Sequence, residues 1–483
     1  MVTEGIDKQP LRYIVSELVK EKFNCVRFTW ATHMFTRYSK RTVLNSLKSF
    51  NLTKSIAGIA KNNNFLLRLT LVDAFEAVVD EFGKQGVMVV FDNQVSRPTW
   101  CCGYDDGNGF FGDKDFDVEE WLRGLTMIAK RFRGRHNVIG ISTRNEIRGP
   151  RSNEEDWYKY MEQGIETIHK ANPHVLIFAS GLGYASDLTF LKKKPLETSF
   201  NNKLVYEAHW YPFSWGHGGY WSMEDVNGVC YNETQRVFNQ TGFVMNAEKP
   251  FPMFMGEFGL VQRAFSRGDE RFLACFLAYA AEFDLEWGLW AWQGSYHYRE
   301  NQIGMEETYG VMDYNWDRVR NPEYQRRMEL IKLKLQDPSL KSQVSRIMFH
   351  PQSGTCISAD GTEGISAGDC KAPSHWVHTR DGDPIRLKGK RLCIKVVSNG
   401  WEPMLSEDCS SEQSSWKKLS KTKFHFASVD DKGQQVCLQK ESPYTRKIIT
   451  RNCTLMLEDA EYLKSPLNEP VAQWFKFVET NVL

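Results

Sequence analysis

Residues 138–149 read VIGISTRNEIRG. The run opens with Val138-Ile139-Gly140-Ile141, apolar at every position, and closes on an amide beside a carboxylate, Asn145-Glu146. A strand that is apolar on both faces is buried on both faces, as in a parallel sheet covered by helices. Two explanations exist for the polar pair at its carboxyl end. Either the strand has come out into solvent, or its end carries an acid with chemistry to perform.

Comparable runs recur along the chain. Asn24–Thr29, Val87–Asp92, Val175–Ala179, Leu204–His209, Phe254–Glu257 and Gly288–Trp292 join Val138–Arg144 as short apolar segments, with amphipathic stretches between them. That alternation predicts an α/β domain with a parallel sheet and crossover helices. Helix signals support it: Ser152 and Glu155 have the spacing of a capping box, Trp157, Tyr160, Gly164, Ile165 and Ile168 follow at helical spacing, and Asn172-Pro173 is a stop. Residues 10–22 predict a helix before the first strand. Seven strands is one short of a (β/α)8 TIM barrel, so the expectation is a barrel whose first strand is missing.

After the polar stretch QDPSLKSQ (336–343) the pattern changes. From Ser345 onward short alternating strands and glycine turns accompany three cysteine pairs, Cys356/Cys370, Cys393/Cys409 and Cys437/Cys453. Their regular spacing and the lack of a C-x-x-C pattern favour disulfides over metal. Trp376, Trp416 and Trp474 each follow a pair, which predicts a threefold repeat of roughly 40 residues and an all-β, β-trefoil-like domain. The expected domains are 1–340 and 345–483.

The totals narrow the function. Lysine plus arginine (61) nearly equals aspartate plus glutamate (60) in the 483 residues, so no basic field for nucleic acid is expected. No apolar run approaches the roughly 20 residues that cross a bilayer. MVTEGIDKQP lacks the basic start and apolar stretch of a secretory signal. The cysteine pairs and the Asn-x-Ser/Thr triplets at Asn51, Asn232, Asn239 and Asn452 nevertheless point outside the cell. These two signals conflict, and the start of the chain is expected to be incomplete.

Polar residues gather at the ends of the expected strands: Arg27 in VRF, Gln94 in FDNQ, Asn145 and Glu146, His209 and Tyr211 in HWY, Glu257 in MGEFG and Trp290 in WGLWAW. In a barrel of this kind the carboxyl ends open on one face, so these side chains converge. Two carboxylates that face each other across a sugar ring are what glycoside hydrolysis needs, one to protonate the leaving oxygen and one to attack or to activate water. The plainer alternative for each glutamate is a solvated loop residue or a salt bridge to Arg148 or Arg263. Two long aromatic loops, 97–113 and 209–221, offer Trp100, Trp215 and Trp221 for stacking on sugars, or for packing on themselves. The adjacent Cys101 and Cys102 lack metal-ligand spacing and are expected as a disulfide or as buried thiols.

The order Arg27, Asn145-Glu146, His209-x-Tyr211, Glu257, Trp290 resembles glycoside hydrolase family 5, the cellulase family, over roughly residues 10–335. The resemblance implies a retaining β-glycosidase acting on a β-linked glucan, mannan or glucoside, secreted to the cell wall or its surroundings, monomeric, and needing no metal or cofactor. It implies Glu146 as acid/base, Glu257 as nucleophile, Asn145 on the sugar 2-hydroxyl, His209 and Tyr211 as orienters of the carboxylates and Trp290 as subsite floor. Arg27 would hold Glu257 ionised and depress its pKa. Gln94 stands where the family usually has histidine, so a weakened enzyme that only binds carbohydrate is the alternative, and a structural wall or matrix protein a third reading. The C-terminal part resembles the ricin-type β-trefoil, with SHW, SSW and AQW where a Gln-x-Trp is usual and with CIS, CIK and CLQ lacking an aspartate. The fold is implied more firmly than sugar binding.

Overall fold

The computed structural model describes residues 2–340, 343–455 and 469–483. Seven parallel strands, β1 (Cys25–Ala31), β2 (Met88–Val95), β3 (Val138–Ser142), β4 (Leu176–Ser180), β5 (Leu204–His209), β6 (Met253–Phe258) and β7 (Glu286–Leu289), lie side by side in sequence order. They form a nearly closed barrel. All seven runs expected from the sequence are strands, the last beginning two residues early, at Glu286. Side chains join the first strand to the last: Phe23, just before β1, packs edge-on against Trp287 and Trp292 at centroid distances of 6.0 and 5.6 Å. The segment before β1 is also tied to the one after β7. Tyr13 donates to Asp317 O (2.7 Å) and the His297 amide to Glu4 Oε2 (2.6 Å).

The connecting helices begin where side chains satisfy free backbone amides. Asp117 accepts from the Glu120 amide at 2.7 Å to start Val118–Arg131, whose first turn carries Glu119 and Glu120 and whose last carries Lys130 and Arg131, matching the helix dipole. The cap of Glu154–Ala171 is Asn153, which accepts from the Asp156 amide at 2.8 Å, one residue beyond the expected Ser152–Glu155 box. Asparagine wins because its amide nitrogen also donates to Asp156 Oδ2 at 3.0 Å, so Asp156 binds both parts of the cap.

Contacts divide the chain into two units. The first comprises Met1–Tyr211, Val237–Arg263 and Glu286–Asn321; the second comprises Pro212–Arg236, Ala264–Leu285 and Pro322–Leu483. In the second unit, an eight-stranded and a four-stranded antiparallel sheet surround a core fed equally by three stretches of chain. Met348, Ile357, Ile365, Ala367 and Trp376 come from the first, Ile385, Ile394, Val396, Leu405 and Trp416 from the second, and Phe426, Val436, Leu438, Ile448 and Phe475 from the third. The expected threefold pattern is therefore present in the packing, and Cys356–Cys370, Cys393–Cys409 and Cys437–Cys453 are each bonded.

One expectation shifts. Trp376 and Trp416 each donate an indole N–H to the carbonyl just after the first cysteine of their pair, Ile357 O at 3.0 Å and Ile394 O at 2.9 Å. The third equivalent is Phe475, not Trp474. Trp474 donates instead to Asn227 Oδ1 at 3.0 Å, and Gln473, two places before Phe475, donates to Gln439 and to the Asn452 carbonyl. The glutamine thought missing from the third repeat thus stands in frame once the pattern is read as Gln-x-Phe.

Helix Arg267–Phe283 meets the sheets of this unit through charge. Arg271, 2% exposed, donates through Nε and Nη2 to Glu469 Oε2 at 3.0 Å, and Arg267 shares the same carboxylate. Removing one partner of a buried pair leaves the other charge uncompensated, at roughly 3–5 kcal/mol. Glu469→Ala is expected to lower the unfolding free energy read from urea titration by that order, whereas Glu479→Ala, whose partner Arg346 is exposed, is expected to cost under about 1 kcal/mol. Equal midpoints for the two variants would refute the assignment.

Candidate active site

Alternation along a strand sends every second side chain to the same face, so Glu207 and His209 of β5 both enter the barrel. Arg27 of β1 meets them there, and its guanidinium is the hub of the interior. Nε donates to Glu207 Oε1 at 2.7 Å, Nη1 to Glu257 Oε1 at 2.9 Å and Nη2 to Asn145 Oδ1 at 2.7 Å. Nη2 also lies 3.0 Å from Asp92 Oδ1 of β2. Glu207 takes a further hydrogen bond from Ser142 Oγ of β3 at 2.9 Å. Room for that carboxylate exists because residue 256 is glycine: a Cβ there would stand 2.2 Å from Glu207 Oε1.

Above this layer, His209 stands between the two glutamates singled out in the sequence. Its Nδ1 is 3.0 Å from Glu146 Oε1 and 3.7 Å from Glu257 Oε2, and its Nε2 is 3.5 Å from Glu207 Oε1. Tyr211 donates to Glu257 Oε2 at 2.9 Å. One oxygen of Glu146, one of Glu257 and a ring nitrogen of His209 lie within 4.8 Å of one another. Neither glutamate forms the expected plain ion pair. Arg148 turns to Asp106 (2.6 Å) and to the Glu146 carbonyl (2.9 Å), and Arg263 pairs with Glu306.

Glu146 has φ +42°, in the left-handed region that a non-glycine residue enters at a cost of about 1–3 kcal/mol. Its neighbours hold the turn. The Asn145 amide donates to Asn93 O at 3.0 Å, and Arg144, fully buried, donates to Asn93 Oδ1 at 2.9 Å and to Asn108 O at 2.6 Å. Arg144 and Arg148 thereby fasten the loop 97–113 beside the end of β3.

Charge follows from these contacts. Burial lowers the pKa of His209, but the Glu257 charge and the hydrogen bonds to Glu146 and Glu207 outweigh it and raise the imidazole to about 10. Burial raises Glu207 too, yet Arg27, His209 and Ser142 more than offset this and hold it below the usual carboxylate range. Asp92 has only the Arg27 contact and neither oxygen accepts a hydrogen bond among the described residues; burial pushes its pKa up, against the pull of Arg27. Glu257 differs from expectation. Burial raises its pKa, and the opposing charges of His209 and Arg27 do not cancel that, so the arginine is beside it as expected while the net shift is upward.

Gln94 and Trp290 make no hydrogen bond to this network through their side chains among the described residues. Gln94, at the end of β2, is buried with its Oε1 unpartnered. Trp290 is half-buried and stands edge-on to Trp100 at 6.4 Å, while the Arg299 guanidinium covers one face of Trp100 at 3.3 Å. Trp221 is 1% exposed and packs on Phe272, so it offers no face to a ligand. Asp92 and Glu207 were not foreseen; the available signal was an acid two places before His209 or Gln94 in an otherwise apolar strand.

Two groups have the makings of a metal site: Cys101, Cys102 and Glu146, and Glu146, His209 and Glu257. In the first the sulfurs are bonded to each other and present no thiolate. In the second, both ring nitrogens of His209 already face carboxylates, Glu146 at 3.0 Å and Glu207 at 3.5 Å.

The family model for cellulase, glycosyl hydrolase family 5, matches residues 4–295. A glycosyl hydrolase 5 family protein of Chamaecyparis obtusa is 39% identical over 494 residues, covering 99% of this chain and 87% of that protein. Among solved structures, an endocellulase from the archaeon Pyrococcus horikoshii, also solved with cellotetraose, superposes with a TM-score of 0.54 at 20% identity over 68% of this chain and 88% of its own. The catalytic domain of the major endoglucanase of Xanthomonas campestris pv. campestris gives 0.55 at 20% identity over 68% and 89%.

The sign of the His209 shift sets a pH dependence. A folded-state pKa of about 10 against 6.5 unfolded means the protonated ring stabilises the fold fully below pH 6.5, and that this is lost as pH rises through 10. The urea midpoint of the wild type is expected to fall from pH 6.5 to 10 more steeply than that of His209→Gln. Parallel curves would show that the ring is neutral.

Proposed function

The chain belongs to glycosyl hydrolase family 5, the cellulase family, and is a glycoside hydrolase, from which we propose that it cleaves a β-linked glucan, mannan or glucoside with retention, Glu257 as nucleophile and Glu146 as acid/base. The observation that carries this reading is the approach of the two carboxylates, with one oxygen of each within 4.8 Å across His209. Retaining glycosidases hold their carboxyl groups about 5–5.5 Å apart, whereas inverting ones leave about 6.5–9.5 Å for a water.

The supports differ in kind. Both oxygens of Glu257 are held, one by Arg27 and one by Tyr211, which fixes the in-line approach to the anomeric carbon. Its raised basicity favours bond formation, and the adjacent Arg27 and His209 charges favour the ionised form that attacks. Glu146 protonates the departing oxygen and then takes a proton from the water that frees the enzyme. The unpartnered Gln94 Oε1 accepts from a substrate hydroxyl, Asn145 holds the 2-hydroxyl, and Trp290 lies under the ring. With both carboxylates and their partners in place, the reading as a binding protein without turnover rests on Gln94 alone.

The five disulfides are compatible with an extracellular location, and we propose secretion. A β-linked oligosaccharide is the proposed partner, acted on by a monomer.

Incubation with 2-fluoro-β-glucosyl or mannosyl fluoride is expected to add one sugar to Glu257, mapped by peptide mass spectrometry. Glu257→Gln and Glu146→Gln are each expected to lose roughly three or more orders of magnitude in kcat, with azide partly restoring Glu257→Gly through an external nucleophile. An inverted product, or turnover surviving Glu257→Gln, would overturn the assignment.

A further inference from the structure

Cys101 and Cys102 are joined, and their sulfurs lie beside Glu146. Asn145 Nδ2 is 3.7 Å from the Sγ of each, and one oxygen of Glu146 lies with both sulfurs inside a 4.8 Å group. The disulfide is held from both sides. Arg148, its side chain fully buried, donates to Gly103 O at 2.9 Å and to Asp106 Oδ2 at 2.6 Å, and Asp106 in turn accepts from the Gly103 amide at 3.0 Å. On the other side Trp100 packs edge-on against Trp290 and Tyr296. Cys102 and Glu146 are half-buried, so part of each remains exposed.

We propose that the Cys101–Cys102 disulfide is a substrate-contacting wall, packing against the C–H groups of the sugar on the leaving-group side of the bond that is cut. It rests on Glu146 being the acid/base. A ring attached to the oxygen that Glu146 protonates lies against that carboxyl, and the sulfurs, within 4.8 Å of one of its oxygens, are close enough to touch such a ring from the exposed side. Bonded sulfur suits the place: it is polarizable, uncharged and only a weak acceptor, so it meets C–H surface well and does not compete for the proton Glu146 must deliver. Two thiols there would add donors facing the carboxylate.

The test separates the leaving group from the glycosyl group. Cys101→Ala/Cys102→Ala is expected to cut kcat/KM at least tenfold for the glucan or mannan oligosaccharide the wild type hydrolyses best. The rate at which a 2-fluoroglycosyl fluoride labels Glu257 is expected to stay within about twofold, since fluoride carries no second sugar and needs little acid help. Reduction of the wild type with dithiothreitol gives the same comparison without mutation: two electrons and two protons pass from the dithiol to the pair, dithiothreitol leaves as its cyclic disulfide, and alkylation with mass spectrometry shows which cysteines opened. The same split is expected, reversed on reoxidation with oxidised glutathione. Equal loss of both activities would reduce the pair to a structural part, and no loss of either would remove it from the site. Failure of the untreated wild type to hydrolyse or to be labelled would overturn the hydrolase reading, and this proposal with it.

Discussion

A single guanidinium organises the first unit. Arg27, from β1, reaches residues of β2, the end of β3, β5 and β6, so five of the seven strands meet at one side chain. A planar fork with five N–H donors can do this; a lysine ammonium has neither the reach nor the fixed angles. Its partners are carboxylates that would otherwise repel one another inside the barrel. The active geometry and the integrity of the barrel interior are in this sense the same interaction.

The charges around the hub press differently on the buried acids. Arg27 and His209 supply two positive charges. Against them stand Glu207, Glu257, Glu146 and Asp92, one layer of them deeply buried. Isolated ions are costly in such a place, so a surplus acid takes a proton. Burial pushes Asp92 toward holding one, against the pull of Arg27, and neither of its oxygens accepts a hydrogen bond among the described residues. Glu207, with Arg27, Ser142 and His209 around one carboxylate, stays charged, and its carboxylate beside His209 favours the cationic ring between Glu146 and Glu257.

Much of this was legible in the sequence. Strands buried on both faces advertise themselves by composition, and polar residues at their carboxyl ends stand out because nothing apolar explains them. The same contrast failed inside the strands: Asp92 and Glu207 look like ordinary alternation until Arg27 is placed between them. The third repeat of the second unit misled for a different reason. Trp474 and Phe475 are adjacent aromatics, and sequence cannot say which enters the core; the bond from Trp474 to Asn227, nearly 250 residues earlier, decides it. Asn153 replaced Ser152 as a helix cap because adjacent residues with similar capping strength are separated only by a side-chain contact that pattern does not record. The gap between β7 and β1, read as a missing strand, is bridged by Phe23, Trp287 and Trp292, and aromatic contact has no periodicity to betray it.

The backbone at Glu146 has a bearing on how such a chain can be altered. A residue in the left-handed region is held away from its own local minimum by the bonds of Arg144, Asn145 and Arg148 around it. Glycine at that position would relax into the same turn without strain. Two effects therefore oppose each other at this residue: glycine would relieve the backbone but leave the His209 ring without its 3.0 Å partner. A carboxylate at the end of β3 thus carries a local backbone cost that its bond to the buried imidazole offsets in part.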